Sequence, residues 1–389
     1  MFKLLLASSL VFSCATALAA TLTVEEQRLP AAAEAMPNVT SAFASDVSAF
    51  AQQWQELKSF ERAQDVVYDY ANQLWRNAKQ RITTKKDYDD RALYWARLQS
   101  SKVIRATNPH FALSDAQRQI LLNTLERGSR GQYDLAYSQD TEKKILITGF
   151  DPFLLDEHIN QSNPSGVAAL LFDGQVISHK GVRAEINTVM IPVRYKDFDE
   201  GLIEALLAPY YALNNVDMVV TISMGREHFD LERFPGKRRS VTAPDNANIV
   251  YGGTQTAPKI SSLNGRPLPG AEFVEFSLPV AHMQKAQGPY EINDNHEVTT
   301  LEKTFKPSSL AELEGAIAVN GGGGGYLSNE ISYRSIRLRN ELNSDVPTGH
   351  IHTPRIAQFE PQTEAKIVAQ IKAMLKQSLA ALQLLSKAA

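Results

Sequence analysis

The chain has 389 residues, of which 43% are hydrophobic and 21% charged, with a formal net charge of −3. That length accommodates two domains, or one large domain with an extension, and the composition is ordinary for a globular protein. The small negative balance gives no electrostatic reason to expect nucleic acid or an anionic membrane as partner.

Residues 1–19 stand apart. Lys3 precedes the apolar run Leu4 to Phe12, and Ala17-Leu18-Ala19 is a small-x-small cleavage pattern. This predicts a secretory signal peptide, a mature chain beginning near Ala20, and a periplasmic or secreted location. Cys14 is the only cysteine and raises lipidation as an alternative, although Phe12 fits poorly two residues before a lipidated cysteine. With cleavage after Ala19 the mature chain has neither a disulfide nor a thiol nucleophile. Elsewhere no apolar run is long enough to span a bilayer.

Residues 20–140 read as an N-terminal helical extension. The stretch 20–44 is rich in Ala, Pro and Thr and is expected to be extended or loosely ordered. From Ser45, apolar residues Val47, Phe50, Trp54, Leu57 and Phe60 recur at spacings of three and four, which predicts a helix running to about Ile82. A second helix is expected over Asp89 to Ile104. A third is capped by Ser114-Asp115 and ends near Gly128.

Residues 141–389 follow another grammar. Ile145–Thr148, Val189–Val193, Val216–Ser223, Ala316–Asn320 and His350–Thr353 read as about five buried strands separated by helix-length segments. That alternation predicts an α/β domain, a sheet covered on both faces. Residues 247–300 are polar and rich in Gly, Pro and Asn, and read as a long surface excursion. An amphipathic helix is expected over Glu364 to Lys387.

The chemistry concentrates near Asn320 to Asn329, five glycines followed by Tyr-Leu-Ser-Asn. A strand precedes this stretch and a helical pattern from Tyr326 to Leu342 follows it. Ser328 then falls in the first turn of a helix, where free N–H groups and the dipole favour negative charge. A nucleophile and an oxyanion site can be built from such a segment. Ser332 and Ser335, four and seven residues on, read as helix surface. Gly225 to Arg233 follows a buried strand, where α/β sheets place ligands. Gly349-His-Ile-His-Thr-Pro354 puts His350 and His352 on one face of a strand. Serine, histidine and a carboxylate are the parts of a nucleophile, its base and the group that orients the base.

Six segments, in order, resemble the pyroglutamyl peptidase I (pyrrolidone-carboxylate peptidase) family. They are Lys144 to Phe153 with Asn163-Pro-Ser165, Ile191-Pro-Val193, Gly225-Arg226 to Glu232-Arg233, Pro244-Asp-Asn246, Phe276-Ser-Leu-Pro279 and Gly349 to Pro354. The resemblance covers about 144–389. It implies a three-layer α/β/α sandwich, with the family's glutamate at Glu232, its histidine at His352 and its cysteine position at Ser328. Phe150 and Phe153 match the aromatic residues that hold the pyrrolidone ring. Backbone N–H groups around Gly325 to Ser328, in the glycine turn and helix start, are expected to hold the oxyanion. The chain departs from the family at Ser328, at Glu330 (commonly histidine) and at Ile222-Ser-Met224 (Gly-Gln-Ala in the bacterial family).

The expected function is therefore an exported peptidase or amidase that removes an N-terminal pyroglutamyl-type group by a Ser-His-Glu mechanism. Two alternatives stand beside it, a catalytically silent binding protein and a serine hydrolase of different amide specificity. The expected partner is a peptide or small amide, and the family's habit of forming oligomers implies a homo-oligomer. No cofactor is implied. His228 and His350 have no carboxylate or cysteine at ligand spacing, so no metal is implied either.

Overall fold

In the computed structural model, residues 21–138 and 141–388 are described, and the expected signal peptide lies outside them. The N-terminal part consists of α1 (Val24–Gln27), α2 (Leu29–Ala35), α3 (Pro37–Thr40), α4 (Ala44–Gln55), α5 (Phe60–Lys85), α6 (Arg91–Ala106) and α7 (Asp115–Gly128). There follow β1 (Lys143–Phe150), α8 (Pro164–Phe172), β2 (Gln175–His179), β3 (Val182–Ile191), α9 (Tyr195–Asp199), α10 (Leu202–Leu213), β4 (Met218–Met224) and β5 (Phe229–Glu232). Four two-residue strands come next, β6 (Arg238–Arg239), β7 (Lys259–Ile260), β8 (Ser262–Leu263) and β9 (Arg266–Pro267). The chain ends with α11 (Val280–Met283), β10 (Ile292–Asn295), β11 (Val298–Thr300), β12 (Thr304–Phe305), β13 (Ala318–Asn320), α12 (Leu327–Glu341), β14 (Thr348–Thr353) and α13 (Pro361–Ala388).

Seven strands form the central sheet in the order β10-β5-β14-β4-β1-β3-β2. The continuous apolar run of β1 places it inside, parallel to both β3 and β4, and β14 continues the parallel set beside β4. The strand β5 runs antiparallel to β14, and β2 antiparallel to β3. Alternate residues serve opposite faces, as the pleat requires. Ile145, Ile147, Met218 and Val220 pack with Ile367, Ile371 and Leu375 of α13. Leu146 and Val219 pack with Ile203 and Leu207 of α10 and Ile331 of α12. The result is the three-layer α/β/α arrangement expected from the alternation. Among the described residues no helix is long and apolar enough to cross a membrane.

Four local expectations are corrected. Residues 21–44 are not loosely ordered. Thr23 and Glu26 form a reciprocal capping box, Pro30 and Pro37 sit in first turns where a missing N–H is harmless, and Leu29, Ala32 and Met36 pack on Tyr94, Trp95 and Leu98. The helix expected from Ser45 to Ile82 is two helices. Leu57 turns inward, its carbonyl accepts from the His110 N–H at 2.9 Å, and Ser59 caps a new start through Arg62 N at 3.2 Å. The run Ala316–Asn320 does not join the main sheet. Its extended part, β13, pairs antiparallel with β11 and packs under Phe234 and Phe273. The stretch 247–300 is not only a surface excursion, for Leu268, Phe276, Leu278 and Met283 belong to the main core and β10 is the sheet's edge strand.

Buried charge ties the helical part to the α/β part. Asp151, just beyond β1, receives Arg97 Nη1 at 3.0 and 3.2 Å and Arg130 Nη1 at 2.6 Å, with all three side chains almost fully buried. Arg28 grips Asp156 with two bonds of 2.6 and 2.7 Å. Removing one partner from a buried ion pair typically costs about 3–5 kcal/mol. Arg97→Met is expected near the low end, because Arg130 remains, and Asp151→Leu added to it should cost more, because Arg130 then loses its 2.6 Å partner. Urea denaturation of the two variants and of the double variant measures this.

A second tie is carboxyl to carboxyl. Ser162 Oγ lies 2.7 Å from Asp90 Oδ1 and 2.6 Å from Glu364 Oε1. A hydroxyl has one proton to give, so with two carboxyl oxygens at that distance one carboxyl must supply the other proton. Burial pushes Asp90 up to about 8 and Glu364 up to about 9, against ordinary values of 3.8 and 4.5. The folded chain then holds protons that the unfolded chain releases near pH 4, so stability falls as pH rises from about 4 towards 8–9 and levels off above. Asp90→Asn and Glu364→Gln should flatten that slope. Urea midpoints collected between about pH 5 and 9 are the measurement, and an unchanged slope in both variants contradicts proton sharing.

Candidate active site

The carboxyl ends of β4 and β14 carry the site. Parallel pairing sets His350 beside Thr221 and His352 beside Ser223, while the antiparallel neighbour β5 sets Asp230 opposite His352. Glu232, two residues further, reaches His352 as a diagonal cross-strand contact. Its Oε1 lies 2.6 Å from His352 Nδ1, and its Oε2 accepts from Asn295 Nδ2 at 2.7 Å. Two donors on a fully buried carboxyl fit the ionised form, which places the imidazole proton on Nδ1 and leaves Nε2 as the basic atom. Burial pushes the Glu232 carboxyl up, and the bonds from His352 and Asn295 pull against that rise. Among the described residues Nε2 has no hydrogen-bond partner, and His352 lines a cavity of about 340 Å³.

His350 plays another part. Its Nδ1 and Nε2 lie 2.8 Å from Thr221 Oγ1 and Ser223 Oγ, and burial holds it well below the usual histidine range. It is a neutral core histidine, packed edge-on against the His352 ring with centroids 4.8 Å apart. Asp230, in register opposite His352, accepts from Asn293 Nδ2 at 3.0 Å rather than from the imidazole. Arg233, next to Glu232, goes to Asp294 and Glu275 and leaves Glu232 to His352.

The glycine segment lies against this pair. A Cβ on Gly322 would stand 2.6 Å from Glu232 Oε2, so only glycine lets the backbone pass the carboxylate. Gly321 and Gly324 exchange backbone bonds of 3.0 and 2.9 Å, and Asn329 fastens the turn to Gly236 with bonds of 2.8 and 2.7 Å. The segment is thus a braced turn. Ser328 is the second residue of α12, half-buried, and lines the same cavity as His352. No hydrogen bond joins the two among the described residues. The Gly325 carbonyl accepts from Ser240 N at 3.1 Å, while the Gly325 N–H has no partner among the described residues. The first-turn N–H groups of α12 likewise lack intrahelical acceptors. Ser332 and Ser335 are buried rather than on the helix surface.

Phe150 is buried at the end of β1, stacked on Phe198 with centroids 6.3 Å apart, and Phe153 is half-buried. With Met224, Tyr326 and Ser328 they enclose a hollow of about 20 Å³, about the size that holds a water. The turn between them is held by the short motifs flagged in the sequence. Asn163 Nδ2 donates to the Asp151 carbonyl at 3.1 Å, Ser165 Oγ accepts from Phe150 N at 3.0 Å, and Asn246 Nδ2 donates to the Pro152 carbonyl at 2.9 Å. Glu330 is buried between Arg239 and Arg334.

The structure therefore brings Ser328, His352, Phe153 and the glycine turn to one cavity, with Glu232 behind His352. Asn295 was missed by sequence reasoning, and its only signal was β10, hidden in a stretch read as surface. Among the described residues no group of three or more His, Cys, Asp or Glu is arranged to hold a metal.

Comparison with known proteins gives matches for both halves. Residues 7–126 match the model described as PA0049 N-terminal domain, and residues 144–275 and 283–357 match PA0049, C-terminal domain. The uncharacterized protein PA0049 of Pseudomonas aeruginosa PAO1 is 30% identical over 392 residues, covering 77% of this chain and 70% of that one. Similar solved structures include pyrrolidone carboxyl peptidase of Pyrococcus furiosus with its Cys-free mutant (19% identity) and a single-residue mutant of that enzyme (20%). Each covers 61% of this chain and 99% of the other, with a TM-score of 0.42. On the two domain models and the Pseudomonas relative, the chain belongs to the PA0049 family.

Proposed function

We propose that the chain is a serine-type amidase or peptidase, with Ser328 as nucleophile, His352 as general base and Glu232 as the group that orients the base. One observation carries this reading: a buried Glu232–His352 pair at 2.6 Å, whose free Nε2 belongs to a ring on the wall of the cavity that Ser328 also lines. A fully buried carboxylate is expensive to keep without a task, and stabilising an imidazolium is such a task.

In this mechanism His352 Nε2 takes the proton of Ser328 Oγ as the hydroxyl attacks the amide carbon. Glu232 stabilises the charged ring. The Gly325 N–H and the first-turn N–H groups of α12 hold the oxyanion. The imidazolium then gives its proton to the leaving amine, and water, activated by the same ring, hydrolyses the acyl-enzyme. The pyroglutamyl-type acyl group of the resembled family would sit against Phe150 and Phe153. With the hollow there water-sized, a ring enters only if Phe153 or Met224 shifts. The leader pattern at residues 1–19 supports a location outside the cytoplasm, and N-terminal sequencing of exported protein, expected to start near Ala20, tests it.

A second reading, a binding protein without turnover, is favoured by the missing hydrogen bond between Ser328 and His352. Kinetics with a pyroglutamyl-arylamide and a serine-reactive phosphonate separate the two. Ser328→Ala is expected to abolish turnover and labelling, and Glu232→Gln to lower kcat by about three orders of magnitude or more. Ser328→Cys should retain part of the activity, since the same base serves a thiol. Undiminished turnover in Ser328→Ala removes the serine mechanism. Ligand binding with neither turnover nor labelling establishes the second reading.

A further inference from the structure

The charged rim of the cavity is not accounted for by the catalytic trio. Arg226 follows β4 and Arg355 follows β14, so both lie beyond the carboxyl ends of adjacent parallel strands, where α/β sheets receive ligands. Backbone bonds fix the two segments to each other. The Arg355 N–H donates to the Arg226 carbonyl at 2.6 Å, and the Gly225 N–H to the Thr353 carbonyl at 2.9 Å. Both residues line the 340 Å³ cavity together with Ser328 and His352.

Their guanidiniums are uncommitted. Among the described residues Arg355 has no ion pair or side-chain hydrogen bond, and Arg226 meets only Asp230, at 3.9 Å, with 65% of its side chain exposed. Most buried arginines here are spent, as Arg97 and Arg130 are on Asp151 and Arg239 and Arg334 on Glu330. Glu297 is the one carboxylate among the residues lining the cavity, a single negative charge against the two arginines. Two arginines on backbone-bonded segments, neither hydrogen-bonded to an anion among the described residues, suit a carboxylate, which a planar fork binds through paired N–H donors. The hollow on the far side of Ser328 is water-sized, so most of a substrate must occupy the larger cavity, in the field of these two charges.

We infer that Arg226 and Arg355 form a carboxylate-binding subsite, and that the substrate is a short N-acylated amino acid or peptide whose leaving amine carries a free α-carboxylate. This rests on the proposed hydrolase reading for the direction of the bond that is cut, but the anion subsite itself does not. The probes are pyroglutamyl-alanine and N-acetylalanine, each beside its C-terminal amide. Binding to full-length Ser328→Ala protein is measured by calorimetry and by the side-chain N–H signals of labelled arginine, and hydrolysis is followed with the unaltered chain.

Both acids are expected to bind about tenfold or more tighter than their amides, with added salt weakening only the acids. Arg355→Gln should bring acid and amide to within about twofold while leaving the amide's affinity as it was. Equal binding of acid and amide, no binding of any probe at about 10 mM, or equal weakening of both by Arg355→Gln overturns the subsite. The two readings fail separately. Acid preference without hydrolysis keeps the subsite and removes the hydrolase, and hydrolysis without acid preference does the reverse.

Discussion

The Asp151 carboxylate, held between Arg97 and Arg130, is the contact on which the rest depends. It stands at the point where β1 ends and the turn carrying Phe150 and Phe153 begins. A charge so fully buried is tolerable only when paired and hydrogen-bonded. Both partners come from the helical half, so that half braces the turn that leads to Phe153 without itself lining the cavity. Arg28 repeats the arrangement further along, binding Asp156 and the Asn246 carbonyl. Asn246 in turn holds the Pro152 carbonyl. The turn beside the candidate nucleophile is thus gripped from the helical side and from the sheet side.

The Glu232–His352 pair shows the same economy of space. The backbone of Gly322 runs where any side chain would strike the carboxylate, and a Cβ on Gly225 would stand 2.6 Å from His352 Cβ and 2.8 Å from its Cγ. Asn295 fills the remaining acceptor of Glu232, and His350, satisfied by Thr221 and Ser223, supports the ring while staying neutral. Among the described residues, close packing and hydrogen bonding leave one polar ring atom of the pair, Nε2, without a partner. In such a setting that atom is where proton chemistry can happen.

The sheet was legible because its interior strands are buried on both faces. Ile145-Leu-Ile147 and Met218-Val-Val220 are short, closely spaced apolar runs of strand rather than helix length. Ser328 at a helix start was legible from the change of period after the glycines. Glu232 and His352 came from motif order, since nothing in their own neighbourhoods distinguishes a base from a core histidine. The stretch 247–300 was misread because Leu268, Phe276, Leu278 and Met283 follow no period. They are buried by what packs over them, between glycines and prolines that resemble a loop. Asn295 was invisible for that reason. Residues 21–44 form helices of seven residues or fewer, too short for a periodic signal, and are stabilised by capping and by α6. The run ending at Asn320 has the composition of a sheet strand but the partners of another sheet, and composition does not name partners.

The placement of Asp151 also orders events during synthesis. Arg97 and Arg130 leave the ribosome before the carboxylate that neutralises them, which lies 21 residues after the second arginine (151 − 130). N-terminal segments generally fold as they emerge. Arg130 meets Glu126 within the helical half, but among the described residues Arg97 pairs with no carboxylate before Asp151, so that guanidinium is neutralised only once β1 has been made. The buried ion pair thereby links two halves that match separate domain models.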